Sequence, residues 1–185
     1  MTQRINVPTR DQVSENNQAI FDKLEKGVGF VPNLYAAFAN SDTALGNYLA
    51  FQNAKSSLRA KEREIINLVV SQVNGCRYCQ SAHTTLGKMH GFKEAEILEI
   101  RTGVASFNAK YDALAKLTKE ITISRGKPSQ ATLDNFFAAG YTQGNLVDTL
   151  VVVGDKIVSN YLHNIGQFAI DFPLATELEV EPALN

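Results

Sequence analysis

The stretch RAKEREIINLVVSQVNGCRYCQSAHTTLGKMHG (Arg59–Gly91) holds both cysteines of the chain and decides how the rest is read. From Arg59 to Val73 the apolar residues Ile65, Ile66, Val69, Val70 and Val73 recur at three and four spacing, which predicts a helix. Asn74-Gly75 then forms a stop, because both residues tolerate left-handed backbone angles. A second helix is expected to run to about His90 and end at Gly91. Cys76 thus falls just past one helix and Cys79 in the first turn of the next, so the pair sits at a helix–helix junction. Two thiols three apart, with His83 four residues further on, form a spacing that redox and metal chemistry both use. Unpaired amides and the positive end of the helix dipole favour an anion there, so a thiol in that turn ionises more readily than a free cysteine of pKa ~8.5. His83 is one turn on from Cys79 on the same face, where a general base for the thiol would stand.

Glu64 lies twelve residues before Cys76. At about 100° per residue it shares a face with Asn67 and Ser71, opposite the centre of the apolar stripe, which fits a solvated face as well as a site. Glu62 points nearer the stripe and is a competing buried carboxylate.

Outward from this segment the pattern stays helical and the fold class is all-α. A first helix is expected from Ser14, carrying Ile20, Phe21 and Leu24 and ending at Gly27-Val-Gly29. Pro32 opens a second over Asn33–Asn40. Ser41 reads as the N-cap of a third reaching about Lys55, with Leu45, Tyr48, Leu49 and Phe51 as its apolar members. After the central pair come Lys93–Gly103, Asn108–Ser124, a short helix capped by Ser129 or Thr132 through Ala139, and a long one over Asn145–Ile170. The last carries Leu146, Val147, Leu150, Val151, Ile157, Val158, Tyr161, Leu162, Ile165 and Phe168 as a core or subunit-interface stripe, and Gly154 is a candidate bend. Residues 173–185 read as an extended tail. The whole reads as one domain over 1–185, with N-terminal helices in 1–58, the motif helices in 59–91 and C-terminal helices in 92–172.

The 185 residues are 44% apolar and 20% charged, with a formal net charge of −1, an ordinary globular balance. Lysines and arginines are interspersed with acids and form no basic stripe, which argues against nucleic acid as a partner. No apolar run approaches the ~20 residues of a membrane span, and the first residues contain no signal-like apolar region, so a cytoplasmic protein is expected. In a reducing compartment a CxxC pair is a catalytic or metal-bound pair rather than a structural staple.

Glu62-Arg-Glu64-Ile followed by Val-Asn-Gly-Cys76-Arg-Tyr-Cys79-Gln-Ser-Ala-His83 resembles the alkylhydroperoxidase D-type (AhpD-like) group of the carboxymuconolactone decarboxylase superfamily, whose signature is a glutamate, CxxC and a histidine at these spacings. Gly-Phe-Val-Pro-Asn-Leu-Tyr (Gly29–Tyr35) and the chain length further resemble its peroxidase-related members. The resemblance implies an all-helical fold assembled into homo-trimers or homo-hexamers. It also implies a thiol-dependent peroxidase for organic hydroperoxides that uses no metal, flavin or nicotinamide of its own. On this likeness Cys79 is the peroxidatic thiol and Cys76 resolves its sulfenic acid. An external dithiol donor, a lipoyl domain or a thioredoxin-like protein, then reduces the resulting disulfide. His83 and Glu64 form the proton relay. Tyr78 stands where some relatives carry histidine and, like His163 in the last helix, is a candidate pocket residue.

Two other readings remain. Cys76, Cys79 and His83 with Glu64, His90 or His163 could form a structural zinc site, although no second ligand pair exists as such sites usually require. A redox switch without peroxidase turnover needs only the two thiols. The decarboxylase branch of the superfamily generally lacks CxxC, which makes a lyase the weakest alternative.

Overall fold

The computed structural model describes residues 2–178, and these form helices without a strand. In chain order, after a 3-10 turn at Arg10–Gln12, they are α1 Glu15–Val28, α2 Asn33–Phe38, α3 Ala44–Gln52, α4 Ala60–Val73, α5 Arg77–Met89, α6 Glu94–Arg101, α7 Ala109–Ser124, α8 Gln130–Ala138 and α9 Gln143–Gly166.

Local chemistry explains most boundaries. Asn108 Oδ1 accepts from the amides of Lys110 and Tyr111 to start α7, and Ser129 Oγ accepts from Thr132 N to start α8. Thr142 and Asn145 exchange hydrogen bonds to start α9 at Gln143, two residues earlier than the apolar pattern suggested. Of the expected stop Asn74-Gly75, only Gly75 takes a left-handed angle, φ 64°; Asn74 stays helical at φ −82°.

Three other expectations are corrected. Asn33–Asn40 shortens to Asn33–Phe38. Ser41 Oγ accepts from the amides of Thr43 and Ala44, organising a turn, so α3 begins only at Ala44 and ends at Gln52 rather than Lys55. The long last helix stops at Gly166, where Gln167 turns left-handed at φ 49° and Phe168 folds back against the ring of His163.

The middle of the molecule is α4, which packs against α5, α6, α7 and α9. Its Ile65, Ile66, Leu68, Val69 and Val70 are fully buried with Ile97, Ile100, Leu114, Leu117 and Phe136. Each such side chain contributes roughly 1.5–3 kcal/mol of burial. A separate cluster encloses the cysteines: Cys76, Cys79, Tyr78 and Ala82 pack with Leu34, Ala37 and Phe168. Beyond α9 the chain runs extended over α5. Arg77 and the buried Arg101 donate to the carbonyls of Ala175 and Thr176, and Ser81 Oγ accepts from Ala175 N. The expected tail thus begins as a bound strap; residues 179–185 lie outside the described ones.

Of the two places expected for the apolar stripe of α9, the core takes only part of it. Val147, Leu150, Val151, Val158, Tyr161 and Ile165, expected in a core or subunit-interface stripe, are exposed; Tyr161 keeps 53% of its surface. Thr149, Asp155, Lys156, Ser159, Asn160 and His163 face inward instead. Phe51, one of the apolar members of α3, is exposed as well. Burial of apolar residues is a one-way tendency, and here a polar row must meet buried polar partners on α4 and α5.

Candidate functional site

Gly75 reverses the chain so that Cys76 becomes the N-cap of α5, with Cys76 N donating to Ser71 O at 3.0 Å. The Cys76 sulfur accepts the Cys79 amide at 3.2 Å, so the sulfur held by a first-turn amide belongs to Cys76. The two cysteines are joined as a disulfide, with Cα atoms 5.3 Å apart. Their residues are 0% and 2% exposed.

One turn further on, His83 reaches across to α4. Its Nδ1 lies 2.9 Å from Glu64 Oε2, and Asn67 Nδ2 donates to Glu64 Oε1 at 2.9 Å. The face shared by Glu64 and Asn67 is therefore buried rather than solvated. Burial pushes the Glu64 carboxyl up, but the His83 ring hydrogen-bonded to it, the Asn67 amide and the charge of Lys156 outweigh it and hold the group below the usual carboxylate range. Glu62 is buried too, but on the far side of α4, where it accepts from Arg59 N at 2.8 Å and has Lys110 at 4.0 Å.

On its other side His83 Nε2 faces Lys156 Nζ at 3.2 Å, and Lys156 Nζ is 3.4 Å from Asp155 Oδ2. Gln52 Nε2 donates to Tyr48 Oη at 3.0 Å and to Asp155 Oδ1 at 3.5 Å, while Tyr35 Oη donates to Gln52 Oε1 at 2.7 Å. A polar network thus runs from Asn67 through Glu64, His83, Lys156 and Asp155 to two tyrosines. Burial raises both phenols, Tyr35 to about 12, so both stay protonated at neutral pH.

All of this network but Tyr48 lines one wall of a cavity of about 350 Å³, bounded also by Leu34, Arg63, Tyr78, Ala82, Leu86 and Phe172, with the exposed His90 as a further lining residue. The cysteines are not among the lining residues, but they pack in one cluster with Tyr78 and Ala82, which are. Tyr78 packs against His163, Phe168 and Phe172 at 5.2–5.7 Å between ring centroids, and its Oη accepts from Leu34 N at 3.3 Å. Burial and the nearby Asp171 carboxylate push its phenol well up.

Of the residues singled out in the sequence, the fold brings Glu64 and His83 into contact, sets the cysteine pair beside them and places Tyr78 in the cavity wall. His163 does not line the cavity. It is buried behind Tyr78, its Nε2 donating to Phe168 O at 3.1 Å, and burial lowers its pKa. The ligands weighed for zinc do not converge: among the described residues no three His, Cys, Asp or Glu side chains are grouped for a metal ion. Lys156, Asp155 and Gln52 were not found from the sequence. The available signal was the polar row Asp155, Lys156, Ser159, Asn160 and His163, which repeats at three and four spacing on a helix with only one other charged residue, Asp148.

The model of the Carboxymuconolactone decarboxylase family (CMD) matches residues 33–120, a span that includes Glu64, both cysteines and His83. No curated protein sequence matches the chain. Several solved structures share its fold. A peroxidase-related protein from Silicibacter sp. TM1040 is 22% identical over 90% of this chain and 91% of its own, with a TM-score of 0.80. One from Ralstonia eutropha JMP134, described as an alkylhydroperoxidase AhpD core, is 18% identical over 91% and 92%, with a TM-score of 0.82. A variant of the debrominase Bmp8 in complex with 2,3,4-tribromopyrrole is 13% identical over 92% and 93%, with a TM-score of 0.75. No helix among the described residues is long and apolar enough to cross a membrane.

Proposed function

For a chain of the alkylhydroperoxidase D / carboxymuconolactone decarboxylase superfamily, we propose thiol-dependent reduction of organic hydroperoxides through the Cys76–Cys79 couple. The observation that carries this reading is the joined cysteine pair on the same helix as His83, whose imidazole is held by the ionised Glu64. In the reduced protein the Cys79 thiolate attacks the outer peroxide oxygen, the O–O bond breaks, and a sulfenic acid and an alcohol form. Cys76 then displaces water from the sulfenic acid to close the disulfide. A dithiol from outside, a lipoyl domain or a thioredoxin-like protein, takes that oxidation over and restores both thiols. Glu64 orients His83 and supports positive charge on it as the thiol proton moves. The sulfurs pack with Tyr78 and Ala82, which line the cavity where the hydroperoxide would bind. A cytoplasmic location and assembly into a homo-trimer or homo-hexamer belong to the same reading. Carboxymuconolactone decarboxylation would leave the disulfide without a role.

The burial of both sulfurs favours one second reading, a redox switch that forms its disulfide with peroxide but turns over slowly. Reduced protein mixed with a slight excess of an organic hydroperoxide and followed by intact mass and free-thiol count tests the reading. Wild type should lose two hydrogens, Cys76→Ser should gain one oxygen, and Cys79→Ser should stay unchanged. An inert wild type refutes the peroxidase, whereas oxygen gain by Cys79→Ser alone exchanges the two roles. Steady turnover with an added dithiol distinguishes enzyme from switch.

A further inference from the structure

We propose that Lys156 is the proton donor of this site, the third member of a Glu64–His83–Lys156 relay that delivers a proton to the leaving oxygen in the cavity. The inference rests on the peroxidase reading.

Lysine is almost never buried without a partner. Lys156 is only 2% exposed, yet it forms part of the cavity wall. Its ammonium carries three protons, and the acceptors beside it are His83 Nε2 and Asp155 Oδ2.

The proton positions follow from the chemistry of the neighbours. An ionised Glu64 only accepts, so His83 Nδ1 must carry a proton and donate it. An ammonium only donates, so His83 Nε2 must offer its lone pair to Lys156. His83 is therefore a neutral imidazole with both nitrogens engaged. Its Nε2 lone pair becomes free for the Cys79 proton as Lys156 turns its own proton towards the substrate oxygen.

The other charged and titratable groups of the wall do not fill this role. Arg63 is held by Gln52 O at 2.7 Å, and a guanidinium does not give up a proton. Tyr35 and Tyr78 are raised by burial and are poor acids, Asp155 is an acceptor, and the exposed His90 contacts neither Glu64 nor His83 among the described hydrogen bonds.

The balanced step is as follows. The Cys79 sulfur bonds to the outer oxygen of the hydroperoxide, the O–O electron pair leaves on the inner oxygen, and that alkoxide takes a proton from Lys156 Nζ. The Cys79 proton passes to His83 Nε2 as the sulfur attacks, so that sulfur reacts with thiolate character, and His83 then returns the proton to Lys156 and restores the ammonium. The net change is one thiol and one hydroperoxide to one sulfenic acid and one alcohol.

Single-turnover oxidation of reduced wild type, Lys156→Met, Lys156→Gln and Lys156→Arg tests this with two oxidants, tert-butyl hydroperoxide and peracetic acid. The first expels a basic alkoxide that needs a proton; the second expels acetate, which does not. With tert-butyl hydroperoxide all three variants should lose roughly 10²–10⁴-fold, the usual worth of a positioned general acid. With peracetic acid they should lose less than about a tenth of that factor. The arginine variant should fall with the others, because it keeps the charge but cannot give the proton. Equal losses with both oxidants, or no loss, overturn the role of Lys156 while leaving the peroxidase intact. A wild type inert to both oxidants overturns the peroxidase and the relay together. Nitrogen-15 NMR of oxidised wild type adds a readout free of peroxide: His83 should be protonated at Nδ1 alone, and a proton on Nε2 overturns the relay.

Discussion

Replacing Glu64 by glutamine in the oxidised protein should cost about 3 kcal/mol at pH 7.5, at the low end of the range for removing one partner of a buried charge pair. Each oxygen of Glu64 accepts one hydrogen bond, Oε1 from Asn67 and Oε2 from His83. The amide keeps one acceptor but turns an NH₂ towards the other donor, losing a charge-assisted bond worth about 1.5–3 kcal/mol. Lys156 also loses one of the two carboxylates that balance it. For a chain of this size that corresponds to a fall in Tm of about 6–12 °C. Glu62→Gln is the control. It is equally buried, but its glutamine can still accept from Arg59 N, so about 1 kcal/mol is expected. The sign of the pH dependence is fixed. The Glu64 carboxyl lies below its ordinary 4.5 in the folded protein, so its stabilisation is present above pH 4.5 and is lost as pH falls through the folded value. Urea unfolding of wild type and Glu64→Gln at pH 7.5 and pH 3.5 should therefore show a gap that narrows in acid. A gap below about 1 kcal/mol at pH 7.5, or one unchanged in acid, would refute an ionised Glu64 as the support of His83.

Two further outcomes follow from other parts of the fold. Burial lowers the His163 imidazole from 6.5 despite its bond to Phe168 O, so stability should be full above about pH 6.5 and decline as pH falls towards the lowered folded value. In His163→Gln the urea midpoint should lose that slope between pH 6.5 and 5, and an unchanged slope would assign it to other groups. The exposed Val147, Leu150, Val151, Val158, Tyr161 and Ile165 predict that an oligomer forms through α9. Val158→Glu should therefore lower the molar mass found by light scattering after gel filtration. A monomeric wild type at micromolar concentration would contradict assembly, and an oligomer unaffected by the substitution would place it elsewhere.

Most helix boundaries were legible because their causes are local. Ser129, Asn108 and Gly91 act within one turn of themselves, and the stripe from Ile65 to Val73 has a single buried solution against its neighbours. The spacing of Glu64, Cys76, Cys79 and His83 was equally legible, because a helix, a glycine turn and a second helix carry one into the next. Errors arose where one local device competed with another, as at Ser41, whose hydroxyl organises a turn before α3 instead of capping it.

The sequence by itself determined that the chain is helical, that its two thiols meet at a helix start, and that an imidazole stands one turn away. All of these follow from spacings of a few residues. Only the tertiary structure decided that Glu64 is buried, that the sulfurs are buried against Tyr78, and that α9 turns Lys156 and Asp155 towards His83 while exposing much of its apolar stripe. A helical period reports that two faces differ, but it carries no sign for which faces inward. That sign is set by partners 73 residues away in the chain, where the lone pair of His83 meets the ammonium of Lys156.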